Sequence, residues 1–459
     1  MTALWAVAVL FMTAEERPAS YTVQPGDTCQ LVTERFWGKG ARVEELHRWN
    51  LLGQTPHTLV PGQVLRLRAP DPKSPDATLT FLKPSVRART SDTWQPAKLG
   101  MGLFRLDEVN TLKRASAELT LRDESQLLLD ENALVVIYGE PNAQKVSRGP
   151  AVIEGEVRMA LTAARGVELP GGGTVNTVKA DGVVAVDGAR TGRVSIFDGD
   201  VVVESAKVAV KLKRDEGTVV RAGAAPLPPR PLPQPPEPQV AALIIAGRDG
   251  LASIEVKWPA VANAQRYRVQ LANDGKFLDL VAVESTLDTN ATLRNVVPGH
   301  YRLRVIAFDA EGLQGRASVV RQTDVVRIGA GVDGAAGVVS VRGGEAPVFA
   351  GPPGVALEAG VEQLPVGRHT VRVLDGDGGT IAPVAISIRP SAPVVRTEQG
   401  RLVLEFPTPI ASVEGLTVRD SRGDVPFERR NDRSFWATRP VSGSTTVTWD
   451  GFDLLRFNR

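Results

Sequence analysis

The sequence predicts a mainly β, multidomain protein that begins with a small α+β module and continues in β-sandwich or β-roll domains. Its 459 residues are enough for about three domains. Its 44 glycines and 33 prolines exceed the usual share, which favours short strands joined by turns over long helices. After residue 77, runs of alternating apolar and polar residues recur at the spacing typical of β-sandwiches and barrels.

Net charge and residue usage exclude several classes of function. The 54 basic and 52 acidic residues nearly cancel, so we expect no nucleic-acid partner. Cys29 is the one cysteine, which excludes an internal disulfide and a zinc site of paired thiolates. With only 4 histidines besides, we expect no metal, no cofactor and no catalytic residues. No apolar run approaches the roughly eighteen residues of a membrane-crossing helix, so we expect no integral membrane span.

Residues 1–14 are typical of a signal peptide. Ala3 to Met12 form an apolar run, and Ala14 supplies the small residue that precedes a cleavage site. No Lys or Arg precedes the run, so a buried N-terminal strand is the alternative interpretation. The pattern predicts export, which in a bacterium places the chain in the periplasm or cell envelope.

Residues 19–70 carry the pattern of a strand–helix–helix–strand (βααβ) module. Tyr21 to Val23 alternate like a strand, and Val64 to Leu67 form a closing strand. Asp27 with Gln30 three positions later is a capping-box pattern, which predicts the start of a helix. Two sets of apolar residues at helical spacing follow, one on each helix: Leu31, Val32 and Phe36, then Val43, Leu46 and Trp49.

These residues resemble the LysM module, a carbohydrate-binding domain of βααβ fold. The resemblance implies binding of the N-acetylglucosamine of peptidoglycan or a related polymer. The expected site is a shallow groove between the loop after the first strand and the loop before the last. The motifs that carry the resemblance are Tyr21-Thr22-Val23, Pro25-Gly26-Asp27-Thr28, Phe36-Trp37-Gly38, Asn50, Pro56, Leu59 and Pro61-Gly62-Gln63-Val64-Leu65.

The LysM resemblance also implies the residues that line the groove. An acetamido sugar needs backbone donors and acceptors near an apolar floor, and glycine-bearing loops let backbone approach a ligand closely. Cys29 departs from the bulky residue usual in the family. The alternative interpretation is that Gly26 and Gly62 only make turns and that Asp27 only caps a helix. The first wall would comprise Gly26, Asp27, Thr28 and Cys29, and the second Pro56, Leu59, Val60 and Pro61.

Residues 78–224 contain a series of short strand patterns whose layout resembles the FecR-type periplasmic domain. These runs include Ala117 to Arg122, Gln126 to Leu129, Val194 to Phe197, Val201 to Val203, Val208 to Leu212 and Thr218 to Arg221. In signalling members of that family, the domain follows a cytoplasmic segment and a membrane span that control a sigma factor. The resemblance does not extend to those parts. It therefore implies a periplasmic β domain whose partner is an unknown envelope protein.

Residues 225–239 form a proline-rich linker, for which composition predicts a semi-rigid polyproline II spacer. After it, residues 240–325 resemble a fibronectin type III sandwich, with Trp258 predicted to point inward. Repeated strand patterns predict an Ig-like β domain at 326–390 and a C-terminal β domain at 391–459.

Two sharper motifs in the C-terminal half are better explained by structure than by chemistry. Gly329-x-Gly331-x-x-Gly334 matches a dinucleotide fingerprint, but Val338 to Val341 after it is strand-like, whereas that site needs a helix. Asp375 to Gly379 resembles a calcium loop without its later glutamate and is typical of a hairpin turn.

The sequence as a whole predicts a non-enzymatic, exported envelope protein that binds peptidoglycan through the LysM-like module and presents β domains to other proteins. Two alternatives stay open. The chain could be a FecR-like sensing or regulatory protein of the periplasm. It could also be a cell-wall hydrolase, because a catalytic carboxylate pair is set by fold geometry and leaves no motif.

Overall fold

A computed structural model describes most of the chain. The mainly β, multidomain fold class predicted from the sequence is confirmed. The predicted signal segment at 1–14 and the groove residues Pro56, Val60 and Pro61 lie outside the described residues. The described residues are 18, 20–38, 43–50, 52, 59, 64–67, 74–90, 93–137, 149–162, 165–333, 338–410 and 412–458.

The N-terminal module is a two-stranded antiparallel sheet with two short helices. Tyr21 pairs with Leu65 in the centre of the sheet. Its elements are β1 (Ser20–Thr22), α1 (Cys29–Trp37), α2 (Val43–Asn50) and β2 (Val64–Arg66). Its small core consists of the buried side chains Val23, Val32, Leu46, Leu59, Leu65 and Leu67.

The start of α1 differs from the sequence-based prediction. The N-cap is Thr28, whose hydroxyl accepts a hydrogen bond from the Leu31 amide at 3.2 Å. The predicted Asp27–Gln30 capping box is therefore wrong. The box does not form because the Asp27 carboxylate instead accepts hydrogen bonds from Tyr21 of the first strand and from the Gln24 amide in the turn. Leu31, which was predicted on the buried face with Val32 and Phe36, is 49% exposed, and the buried residues of α1 are Val32 and Thr33.

The second domain is a system of 15 hydrogen-bonded strands. One large core of aliphatic side chains fills it, with Leu119, Leu127 and Val184 fully buried. The strands are β3 (Ala77–Leu82), β4 (Val86–Thr90), β5 (Thr93–Pro96), β6 (Gly102–Leu103), β7 (Glu108–Thr111), β8 (Ala117–Leu121), β9 (Gln126–Leu129), β10 (Leu134–Val136), β11 (Ala151–Leu161), β12 (Arg165–Leu169), β13 (Gly173–Val186), β14 (Gly192–Ser205), β15 (Val208–Leu212), β16 (Glu216–Val220) and β17 (Arg230–Pro231).

The proline-rich segment lies along the surfaces of its neighbours, whereas composition predicted a spacer between them. Within it, Arg230–Pro231 forms the short strand β17, which pairs with β16 (Glu216–Val220) of the second domain. The Leu227 amide donates to the Val219 carbonyl at 2.9 Å, and Leu232 is buried. At the other end, Gln239 bridges to Lys257 of the third domain. Leucines between the prolines supply the apolar contacts that hold the segment in place.

The third domain packs two sheets around one core. β18, β24, β23, β20 and β21 form one sheet in that order, and β19 and β22 form the other. Trp258 is buried, as predicted, and its ring lies 5.3 Å from that of Tyr267. The strands are β18 (Leu243–Ile245), β19 (Ala252–Lys257), β20 (Arg266–Ala272), β21 (Leu280–Thr286), β22 (Asn290–Val296), β23 (Gly299–Phe308) and β24 (Arg321–Ile328).

The fourth domain continues directly from β24. The end of that strand, Arg327 and Ile328, pairs with the fourth domain's β27, and Ile328 belongs to its core. The elements are β25 (Val332–Asp333), β26 (Val338–Arg342), β27 (Phe349–Ala350), β28 (Ala356–Leu357), the 3-10 helix Val361–Gln363, β29 (Gly367–Leu374) and β30 (Thr380–Arg389).

The fifth domain consists of two four-stranded sheets. Phe406 and Phe435 meet in its core with ring centroids 5.8 Å apart. Its strands are β31 (Val394–Glu398), β32 (Arg401–Glu405), β33 (Leu416–Asp420), β34 (Gly423–Asp424), β35 (Phe427–Arg429), β36 (Ser434–Ala437), β37 (Ser444–Trp449) and β38 (Phe452–Asn458).

An apolar cluster joins the second and third domains. Leu313, in the turn after β23, is fully buried. It packs in one cluster with Phe197 of β14 and Leu232 of the proline-rich segment. The amide of the next residue, Gln314, donates to the Ser195 hydroxyl at 3.1 Å. Two domains and the segment between them therefore share one small core.

A buried ionic cluster completes this junction. Arg268 on β20 donates from Nη1 to both carboxylate oxygens of Glu156 on β11, at 3.0 and 2.9 Å. Arg158 on β11 lies 3.5 Å from Asp130 and donates across the junction to the Lys276 carbonyl at 2.7 Å. Burial and the neighbouring Arg158 lower the pKa of Arg304 to about 9. Charged groups from both domains thus neutralise one another away from solvent.

Candidate functional site

The loop between β1 and α1 begins with a tight turn. Gln24, Pro25, Gly26 and Asp27 form it, closed by a hydrogen bond from the Asp27 amide to the Gln24 carbonyl at 3.1 Å. Gly26, the third residue, has φ +86°, and a Cβ there would meet nothing within 4 Å. Proline second and glycine third is the pattern of a type II turn, which requires a positive φ at the third residue. The turn leaves the backbone of Gly26 exposed to solvent.

Asp27 organises this loop from within. Its Oδ2 accepts hydrogen bonds from the Tyr21 hydroxyl at 2.6 Å and from the Gln24 amide at 2.7 Å. Its Oδ1 lies 3.2 Å from a guanidinium nitrogen of Arg35 on α1, and the Asp27 side chain is only 5% exposed. Arg35 also donates to the Tyr21 hydroxyl. The carboxylate therefore ties the first strand, the turn and the first helix together.

The hydrogen bond between Tyr21 and Asp27 moves the pKa values of both groups. It lowers the pKa of Asp27, because the phenol hydrogen bond stabilises the carboxylate, and Gln24 and Arg35 add to the effect. It raises the pKa of Tyr21, because the phenol proton is held by the carboxylate. At neutral pH the loop is thus held by an ionised Asp27 and a neutral Tyr21.

Thr28 and Cys29 occupy the end of the loop. Thr28 is exposed and uses its hydroxyl to cap α1, while Cys29 is half-buried against the module's core. Burial raises the pKa of the Cys29 thiol, so it is protonated near neutral pH and is a poor nucleophile. Cys29 thus contributes a small apolar surface beneath the loop.

The second predicted wall is described at one position. Leu59 is 6% exposed and packs in the core with Val32 and Leu46. Its side chain therefore supports the module from inside. Of the eight predicted groove residues, the structure describes Gly26, Asp27, Thr28, Cys29 and Leu59, and it brings the first four together in one loop.

Two residues outside the loop position it, and this role of theirs was not predicted from the sequence. Arg35 holds Asp27 from a helix eight positions later, and Tyr21 holds it from the preceding strand. Arg35 also lies over the Tyr21 ring, with Cζ 5.2 Å from the centroid. Tyr21 belongs to the predicted first strand and Arg35 to the predicted first helix, but neither pattern indicates a contact with Asp27. Only the fold brings them to the same carboxylate.

The lowered pKa of Asp27 predicts a pH dependence of the N-terminal module. A carboxyl group whose pKa is lower in the folded state stabilises the fold above its unfolded value of about 3.9, and this contribution is lost as pH falls through the folded value. We expect the amide resonances of Gln24 and Asp27 to titrate together below pH about 3.9. Titration of these amides in NMR spectra tests this, with Asp27→Asn as the control. A midpoint above pH about 4 would contradict the assigned hydrogen bonds.

The described residues contain neither a candidate metal site nor a candidate membrane-spanning helix. No group of three or more His, Cys, Asp or Glu side chains suited to a metal ion occurs among them. Within the same part of the chain, no helix has both the length and the apolar character needed to cross a bilayer.

A hydrolase would need two carboxylates facing a cleft. Asp130 and Glu156 do approach each other at the junction of the second and third domains, where Asp130 is buried and the Glu156 side chain is only partly exposed. Burial raises the pKa of Asp130; burial would also raise that of Glu156, but Arg268 brings it below its usual value. Both carboxyl groups are held by arginines, so this pair has the environment of a structural cluster.

Comparison with known protein families confirms the N-terminal module. Residues 21–68 match the family described as LysM domain. These residues form a LysM domain. That identification supports carbohydrate binding in general. The match covers the loop Gly26–Cys29 and Leu59. No curated protein is significantly similar to the chain.

Solved structures show only distant likeness. A proposed anti-sigma factor from Parabacteroides distasonis is 17% identical, with 27% of this chain and 59% of that chain covered and a TM-score of 0.22. This chain thus spans less than two thirds of that protein's length. The chicken CNTN1 FN1-FN3 domains are 11% identical, with 55% of this chain and 95% of that chain covered and a TM-score of 0.18. Likeness this weak does not test the FecR-type resemblance, which stays a prediction.

Proposed function

We propose that this protein is a non-enzymatic, exported component of a bacterial cell envelope that binds the N-acetylglucosamine of peptidoglycan. The LysM domain carries the proposal. We assign the sugar site to the loop Gly26–Cys29 together with Pro56, Leu59, Val60 and Pro61, the residues that the LysM resemblance implies. The β domains after it present surfaces to an unknown envelope protein.

The geometry of the first loop supports sugar binding. A neutral acetamido sugar is recognised by backbone groups over an apolar floor. The turn at Gly26 is open on its outer side, and Asp27 is engaged inward with Tyr21 and Arg35. The loop therefore offers exposed backbone with no free carboxylate, which suits an uncharged ligand.

One LysM domain buries little ligand surface, so binding to a single short sugar should be weak. Long glycan strands offer many copies of the same site, and rebinding along the strand raises the apparent affinity. The proposal thus predicts much stronger retention on intact peptidoglycan than on a soluble oligosaccharide.

Asparagine in place of Gly26 is expected to weaken sugar binding about tenfold without unfolding the domain. Asn is tolerated at the third position of a type II turn, while its side chain projects into the space that the sugar would occupy. Titration of the full chain with chitotetraose, with sedimentation on purified peptidoglycan alongside, measures the effect.

Gly100→Asn is the matched control for this variant. Gly100 also has a positive φ, +76°, with nothing within 4 Å of a Cβ, but it lies in the second domain. Its binding should equal that of the unchanged protein. The proposal fails if the unchanged chain is not retained on peptidoglycan. Release of soluble muropeptides by the chain would instead favour the hydrolase.

A further inference from the structure

A groove of about 450 Å³ lies between the second and third domains, and none of its lining residues belongs to the LysM domain. Strands β13 and β14 form one side, and β20 with the turn after β23 forms the other. Domain junctions are common places for small-molecule sites, and this volume is in the range of such pockets. Leu287 stands at its rim, 77% exposed.

Arg266 on β20 is a cation without an acidic partner in this groove. Its Cζ lies 4.3 Å from the centroid of the buried Phe308 ring. Among the described residues its guanidinium forms no hydrogen bond or ion pair. Burial, and then the neighbouring Arg268, lower its pKa, and the attraction of Glu156 offsets this lowering only in part. Such a group favours an incoming anion.

Glu311, in the turn after β23, is the complementary group. Its main chain is engaged, because its carbonyl accepts from Arg193 at 2.6 Å and its amide donates to Asp309. Its half-buried carboxylate forms no ion pair within the described part of the chain. Both Glu311 and Arg266 line the groove. The groove thus offers one unpaired anion and one unpaired cation.

The other charges that line the groove are already neutralised. Arg193 pairs with Asp187 at 2.9 Å, and Arg268 pairs with Glu156 at 2.9 Å. Asp309 caps its own turn by accepting from the amides of Glu311 and Leu313, and it lies 3.6 Å from Arg230. Only Arg266 and Glu311 remain for a ligand.

We propose that this groove binds the zwitterionic end of a peptidoglycan stem peptide, with the ligand carboxylate on Arg266 and its ammonium on Glu311. The inference rests on the proposed function, which supplies the polymer. A carboxylate matches the forked guanidinium of an arginine. The aliphatic part of the ligand would lie against the exposed Leu287 at the rim. Sugar and peptide would thus be read by separate parts of one chain.

The test uses isothermal titration of the full chain with a synthetic stem tripeptide that ends in meso-diaminopimelate, whose side chain carries both an ammonium and a carboxylate. In a tripeptide ending in lysine the side chain carries the ammonium alone, while the terminal α-carboxylate is common to both peptides. We expect the lysine peptide to bind about tenfold more weakly, which is the effect of one charged hydrogen-bond pair.

Two variants test the two contacts separately. Arg266→Gln and Glu311→Gln should each weaken diaminopimelate-tripeptide binding about tenfold, and Arg266→Gln should remove the preference over the lysine peptide. Arg294→Gln and Glu255→Gln are the matched controls, because both side chains are exposed on the other sheet of the same domain. Their binding should not change.

Each outcome separates this inference from the function on which it rests. Chitotetraose binding should be unaffected by either groove variant, since the sugar site is in the LysM domain. If chitotetraose binds but the tripeptide does not at millimolar concentration, the groove inference is overturned and the sugar function stands. Equal losses in the groove variants and in the Arg294 or Glu255 controls would also overturn it.

Discussion

Alanine at Arg268 is expected to destabilise the junction between the second and third domains by about 3–5 kcal/mol. Glu156 is 14% exposed and takes both hydrogen bonds of Arg268 Nη1, so the variant leaves a buried carboxylate without its main partner. Removing one side of a largely buried pair costs more than the pair itself contributes, because the remaining charge has little contact with water. Burial already raises the pKa of Asp130, and in the variant Asp130 would lie beside a Glu156 carboxylate that has lost its arginine partner.

Calorimetry of the full chain measures this effect. For a unit of this size the loss corresponds to a fall in transition temperature of roughly 10 °C. Hydrogen exchange should rise in Ala151–Leu161 and Arg266–Ala272, the strands that carry the pair. Arg419→Ala is the control: Arg419 pairs with Asp424 at 2.8 Å, but both are about two-thirds exposed. A shift as small as that of the control would show that the junction is solvent-filled.

The sequence was sufficient for local features of the fold. Alternation predicted strands at Gln126–Leu129 and Val208–Leu212 with the bounds that the structure shows. Helical spacing and turn residues predicted the βααβ order of the LysM domain. These features depend on neighbours within a few positions, so a pattern in the chain records them.

Long strands were harder to predict than short ones. The runs Val194 to Phe197 and Val201 to Val203 were predicted as two strands, but both belong to β14 (Gly192–Ser205). Between them Gly199 has φ +92° and the pairing with β13 shifts register. A bulge of this kind interrupts the alternation but leaves the hydrogen-bonded strand continuous.

The junction groove could not be predicted at all. Arg266 and Glu311 lie in different elements of the third domain, and the residues opposite come from strands more than 70 positions earlier. A charged side chain in an alternating strand pattern ordinarily faces solvent, so the pattern does not mark Arg266 as a residue that lines a groove. Only the packing of two domains shows which arginines find an acid and which do not.

Alanine at Asp27 is expected to destabilise the LysM domain by about 2 kcal/mol and to abolish most sugar binding. The Asp27 carboxylate is the acceptor for the Tyr21 hydroxyl, the Gln24 amide and Arg35. The variant leaves these three donors without that acceptor. A domain of about 50 residues has little stability to lose, so a substantial fraction should unfold. Chitotetraose titration and NMR spectra of the full chain measure both effects.

Two further variants separate the loop from the fold. Tyr21→Phe removes one donor and leaves Asp27 with Gln24 and Arg35, so its effect should be well below that of Asp27→Ala. Asp424→Ala removes an exposed carboxylate of the fifth domain and should leave sugar binding unchanged. If Asp27→Ala binds chitotetraose as the unchanged chain does, the loop is not organised by this carboxylate. Loss of binding with the NMR spectrum of a folded domain would instead mean that Asp27 shapes the sugar site without carrying the stability of the module.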